Sequence, residues 1–207
     1  MQSISTVKDV PSVLQGYNLH GWVPDSSRSD EETSMELVYL LTRQSQCRQG
    51  HMACIIHRTI DMEPNRSFLE RIVSISNNTS LYRDYDSDNH AEINAIGTAA
   101  KHGISTDGCT LVVTMPPCKR CFGALLVAGI RRVVTSCPII LTPVLSLAEK
   151  HQIDIVVVNA EAAKARIAHI TPNILSPEHI EAARARRKEE RRHRHTKSVE
   201  RKAKSQS

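Results

Sequence analysis

The stretch from Arg131 to Asn159 constrains the fold more than any other part of the chain. It opens with RRVVTS (131–136), runs through PVLSLAEKHQ (143–152) and closes with DIVVVN (154–159). Two short β-branched runs flank a segment whose Leu145, Leu147 and Ala148 predict the inward side of a helix. A strand, a helix of about ten residues and a second strand make a right-handed crossover, so the two strands are expected to be parallel.

Three further runs have strand length and composition: HMACIIHR (51–58), RIVSIS (71–76) and TLVVTM (110–115). Helices are expected between them. Ser29 followed by Glu32 forms a capping box, and Met35, Leu37, Val38, Leu40 and Leu41 make the stripe behind it. HAEINAIGTAAKHG (90–103) and CKRCFGALLVAG (118–129) each read as a helix closed by glycine, and EAAKARIAHI (161–170) adds one more. The expected architecture is a three-layer α/β/α fold. Its five-stranded mixed sheet has helices on both faces, and its fourth and fifth strands are parallel. Residues 1–30 read as a flexible leader that Trp22 anchors, 31–172 as the folded domain, and 173–207 as a basic tail, disordered or helical.

Composition narrows the function classes. With 207 residues, 40% of them hydrophobic, there is material for one well-buried core and not for two. Aromatic residues are 3% of the chain, which argues against a stacking platform for single-stranded nucleic acid. No run of about 18 apolar residues exists, so no membrane partner is expected. The N-terminus lacks the basic and apolar blocks of a secretory signal, and six irregularly spaced cysteines read as reduced thiols. A cytoplasmic protein is expected. The net charge of +5 is uneven: residues 181–207 hold 11 Lys/Arg and 4 Asp/Glu, a local +7, which leaves 16 basic and 18 acidic residues, a net −2, in 1–180. The tail suits RNA phosphates or nuclear import, and equally a solvated helix in which Glu interleaves with Arg.

Two short motifs sit at expected helix starts, where ligands gather in sheets of this kind. Cys118 and Cys121, three apart, share a helix face, and the free N–H groups and helix dipole there favour thiolates. A bare C-x-x-C is also compatible with two small core residues or a redox pair. His90 opens the other helix and adds an imidazole. One His and two Cys make three protein ligands, the pattern of a catalytic zinc with its fourth position open. His51 is a further candidate ligand that would close such a site. Glu92, two residues after His90, is either a first-turn glutamate favoured by the dipole or a proton carrier beside metal-bound water.

The combined pattern, H-x-E followed by P-C-x-x-C, is the zinc deaminase signature. From about residue 33 to 160 the chain resembles the cytidine and deoxycytidylate deaminase superfamily. The resemblance implies Zn²⁺ held by His90, Cys118 and Cys121, and Glu92 as the catalytic proton shuttle. It also implies that the Ala91 N–H meets the base carbonyl and that a backbone carbonyl at Thr114 or Met115 meets the exocyclic amine. An asparagine just past the second strand contacts the sugar in that family. Asn78 aligns with it, Asn77 is the alternative, and either also suits a turn.

Three stretches resemble the deoxycytidylate branch: HAEINA with its Asn94, AGIRRVV (128–134) and TRQSQCRQGHMACII. In the last, the resemblance implies that Arg43 and Arg48 meet a nucleotide phosphate, and both equally suit ordinary surface arginines. NNTSLYRDYDSDN stands where that branch usually has a Gly-rich, Cys-bearing loop, and Met52-Ala53 replace a usual Val-Gly. The resemblance implies hydrolytic deamination of a cytosine nucleotide, dCMP to dUMP, by a homo-oligomer. CFGALL resembles the tRNA deaminase branch, for which the basic tail would supply RNA contacts. A non-catalytic zinc-binding partner subunit is a third reading, opposed by the presence of Glu92.

Overall fold

Helix α1 (Asp30–Thr42) begins at the expected capping box: the Ser29 hydroxyl accepts from the Glu32 N–H, and the Glu32 carboxylate accepts from the Ser29 N–H. In the computed structural model, which describes residues 12–47, 50–82 and 87–170, each expected strand and helix forms within a few residues of its expected ends. The strands are β1 (Ala53–His57), β2 (Ile72–Asn77), β3 (Thr110–Val113), β4 (Arg132–Thr135) and β5 (Asp154–Val157). The helices after α1 are α2 (Ala91–Lys101), α3 (Lys119–Val127), α4 (Thr142–Lys150) and α5 (Ala160–Ile167). The described residues as far as Ile170 belong to one compact unit. The basic tail and its expected RNA contacts lie outside the described residues.

The strand order is β2-β1-β3-β4-β5. β1 pairs antiparallel with both β2 and β3, whereas β3–β4 and β4–β5 are parallel. The expected parallel pair therefore forms, and α3 provides a second crossover of the same kind. Alternation along the strands builds two cores. Cys54, Ile56, Leu111, Val113 and Val133 face α2, α3 and α4. Ala53, Ile55, Val112 and Val134 face α1 and α5. Each fully buried Leu or Ile contributes roughly 1.5–3 kcal/mol relative to exposure. The register slips between Ile56 and His57, so Val73 forms a bulge. Val73 and Ser74 consequently face α2 together.

Of the leader expected over 1–30, residues 12–29 pack on the second core through Leu14 and Trp22. The Trp22 indole N–H donates to Glu36 of α1 at 3.3 Å. Glu36 also meets Arg28 and Arg166, joining leader, α1 and α5. β2 is an open edge, and two side chains blunt it: the Tyr17 hydroxyl donates to the Ile75 carbonyl and the Asn94 amide to that of Asn77.

In α4 the inward residues differ from expectation. Val144 and Ala148 are buried, Leu147 is half-buried and Leu145 is exposed. The helix starts at Thr142 with Pro143 in its first turn, and this phase turns the Val144/Ala148 stripe, four apart, onto the core.

Candidate metal centre

Three helices on the metal side end alike. Gly103 (φ +67°) follows α2, Gly129 (φ +78°) follows α3 and Gln152 (φ +53°) follows α4. The next residue, Ile104, Ile130 or Ile153, sends its N–H back to Ala99, Leu125 or Ala148 and packs in or against the core. These are Schellman stops. They fix the far ends of α2 and α3 and so help to set where the opposite ends emerge.

At those opposite ends sit the expected ligands. His90 is the N-cap of α2, yet its side chain makes no capping hydrogen bond. An N-cap is usually Ser, Thr, Asp or Asn, and replacing one costs about 1 kcal/mol of helix stability. The imidazole is thereby left for another partner. Cys118 is the N-cap of α3, where its sulfur accepts from the Cys121 N–H at 3.5 Å. His90 Nδ1 lies 3.4 Å from Cys121 Sγ and 3.9 Å from Cys118 Sγ. All three ligand atoms fall within 4.8 Å of one another. Tetrahedral ligands about 2.0–2.3 Å from one zinc are roughly 3.6 Å apart, so the donor set fits zinc in both chemistry and spacing. Among the described residues this is the one such cluster, and His51 is not part of it. Burial grades from exposed His90 through half-buried Cys118 to buried Cys121, which leaves the histidine side open to a water and a substrate.

Glu92 is buried, 5% exposed, and its carboxyl reaches Cys121. Burial, then the Glu92 charge and the Cys118 sulfur, pushes the Cys121 thiol far above the ordinary thiol range. A thiolate persists there only when a cation compensates it, so metal binding must release a proton. The same carboxylate, after burial itself, helps to raise Cys54 on β1 behind the site.

The other expected residues fare differently. Ala91 is the first residue of α2, with its N–H among those that have no helical acceptor. Thr114 lies just past β3. Its hydroxyl meets the Met52 sulfur at 3.3 Å, and its carbonyl accepts from the Ser136 hydroxyl. Asn78 is buried with its amide fully engaged. Its Oδ1 accepts from the Ser45 hydroxyl at 2.8 Å and the Met52 N–H at 3.0 Å, and its Nδ2 donates to the Gly50 carbonyl and the Ser87 hydroxyl, both at 2.8 Å. In this conformation Asn78 ties the α1–β1 loop to the β2–α2 loop and presents no free group to a sugar. Asn77 likewise donates to the Leu41 and Met52 carbonyls. Arg43 is half-buried at the end of α1, and Arg48 lies outside the described residues. A polar cleft of about 700 Å³ runs along a different stripe of α2, past Ile93, Gly97 and Lys101, and none of the four centre residues lines it.

Sequence reasoning missed Ser74 and Ser76 of β2 and the hydroxyl of Ser136. The signal was present in RIVSIS, where two serines two apart in a buried strand must each find a partner.

The profile described as the cytidine and deoxycytidylate deaminase zinc-binding region matches residues 28–137. A deoxycytidylate deaminase of Enterobacteria phage T2 is 39% identical over 89 residues, covering 42% of this chain and 43% of the phage protein. The chain thus spans under half the length of that relative. Among solved structures, the dCMP deaminase of cyanophage S-TIM5 aligns at 22% identity with a TM-score of 0.50, covering 62% of this chain and 96% of that one. The guanine deaminase from Nitrosomonas europaea aligns at 21% and 0.50, covering 82% and 97%. At such identities the structural likeness speaks to the fold alone. The family profile, spanning more than half of the residues and coinciding with the His–Cys–Cys cluster, makes this chain a member of the cytidine and deoxycytidylate deaminase family, whose metal is zinc.

Proposed function

We propose that the protein deaminates a cytosine nucleotide hydrolytically, converting dCMP to dUMP and ammonia. One observation carries the reading: His90, Cys118 and Cys121 converge at two helix starts with the Glu92 carboxyl beside them. Zinc held at this centre would supply a Lewis acid that activates water for attack. His90 and the two cysteines would hold the metal. The water oxygen bonds to the ring carbon that carries the amine as ammonia departs, and Glu92 carries the two water protons, one to the ring nitrogen and one to the leaving amine. The Ala91 N–H donates to the base carbonyl. A carbonyl at Thr114 or Met115 accepts from the exocyclic amine and orients it. Arg48 is assigned to the phosphate.

The choice of dCMP draws support from the phage relative's name and from HAEINA and AGIRRVV in this chain. Asn78 stays the sugar contact in this reading only if substrate frees its amide from Ser87 or Ser45. Ammonia release is measured with dCMP, CMP, cytidine, deoxycytidine, guanine and tRNA, alongside metal content. The expected result is fastest release from dCMP and about one zinc per chain. Zinc-free purified protein, or release from guanine or tRNA but from no cytosine nucleotide, overturns the reading.

A further inference from the structure

We propose that Ser76 is a positioning residue for the reaction: through the Ala91 carbonyl it sets the peptide unit from which Glu92 projects. This rests on the reading of Glu92 as the proton carrier.

The Ser76 hydroxyl donates to the Ala91 carbonyl at 2.6 Å, and the Ser74 hydroxyl donates to the Ala95 carbonyl at 2.7 Å. Both serines are buried, at 5% and 0% exposure. Two residues along a strand advance roughly 6.7 Å and four along a helix about 6.0 Å, so the pair matches β2 to one side of α2. A buried hydroxyl contributes less than a β-branched apolar side chain unless it is bonded, so the partners explain why serine stands there.

The two bonds are chemically equal and differ in place. The Ala91 carbonyl and the Glu92 N–H belong to one rigid peptide plane. Fixing that carbonyl fixes the backbone origin of the Glu92 side chain and, one residue earlier, the His90–Ala91 junction. The Ala95 carbonyl lies a full turn beyond. Glu92 must hold its carboxyl beside Cys121 while the buried face of α2 meets the sheet mainly through the small residues Ala91, Ala95 and Ala99. Alanine side chains locate a helix loosely along its axis, and a directional bond locates it tightly.

Ser74 therefore serves as the matched control. Ser76→Ala and Ser74→Ala are compared with wild type for the visible spectrum of the cobalt-substituted protein, zinc content, melting temperature, and kcat and KM on dCMP. Both variants should lose similar thermal stability and keep about one metal per chain. Only Ser76→Ala should shift the cobalt bands and lower kcat, on the order of 10- to 100-fold, with KM within about threefold. Ser76→Thr, which keeps the hydroxyl, should restore both. If Ser76→Ala does not fold, Ser76→Cys keeps the volume while weakening the bond and is read in the same way. Equal cobalt spectra and equal kcat in the Ser76→Ala and Ser74→Ala proteins overturn the proposal. If wild type turns over no nucleotide, the proposed function falls, and the contrast in cobalt spectra still decides whether Ser76 positions the centre.

Discussion

His90 shows how one residue carries two incompatible demands. A helix start asks for a short side chain that caps its own backbone, and a metal asks for an imidazole that turns away. The structure satisfies the second, and α2 begins without a side-chain cap. The Cys118 sulfur instead serves both ends, accepting from the Cys121 N–H while facing His90. Glu92 stands apart from the ligands. Glu92→Ala should leave about one zinc per chain and a folded protein while lowering kcat by about 10²- to 10⁴-fold, checked by metal analysis and ammonia release together. Equal activity in that variant removes the proton carrier from the mechanism. The His–Cys–Cys donor set was legible in the sequence, because metal ligands need particular atoms at particular spacings. The engagement of Asn78 was not. An asparagine after a strand suits a turn, a loop clamp or a ligand equally, and only its neighbours decide.

At the scale of elements, the helix stops were as legible as the strands. Gly103 and Gly129 end α2 and α3 because only a residue at ease with positive φ lets the chain turn back on the last helical carbonyls. At Gly129 the constraint is doubled, since an added Cβ would stand 2.4 Å from Asp107 Oδ1 and 2.9 Å from its Cα. α4 uses the same stop with Gln152 at φ +53°. Gln152→Gly should relieve that strain and stabilise the fold by ~1 kcal/mol, read as a higher denaturant midpoint at unchanged slope. The phase of α4 escaped the sequence reading because Val144, Leu145, Leu147 and Ala148 offer two overlapping apolar stripes. The exact first turn, set at Thr142 and Pro143, chooses between them.

On the scale of the whole molecule, the end of the sheet near β1 and α1 carries an acid-sensitive cluster. His57 is buried, its Nδ1 lies 3.0 Å from the Arg58 carbonyl, and its Nε2 has no hydrogen-bond partner among the described residues. Burial first, and the Arg71 charge with it, lowers its pKa below 6.5 against the opposing pull of the Arg58 carbonyl, Asp30 and Glu31. Asp30 is raised by its own burial but lowered more by the Arg71 guanidinium, whose NH2 donates to it at 2.7 Å, so its net shift is downward from 3.8. Both depressed groups have the same sign. The stability they contribute is complete above the unfolded values and is lost as pH falls, first below 6.5 for His57 and then below 3.8 for Asp30. His57→Gln should therefore flatten the dependence of the denaturation midpoint between pH 7 and 5, since metal release affects both proteins alike. An unchanged slope would assign acid sensitivity in that window elsewhere.

By itself the sequence determined the periodicities, the chain order of strands and helices, the helix stops and the identity of the metal donors. These follow from local sterics and from atoms that only a few side chains possess. The tertiary structure alone decided that β1 sits between β2 and β3, that Leu14 and Trp22 complete the second core, and that Ser76 rather than a neighbour braces the helix start bearing Glu92. Those outcomes depend on which distant surfaces meet. A local pattern records what a residue can bond to, and only the packed chain supplies the partner.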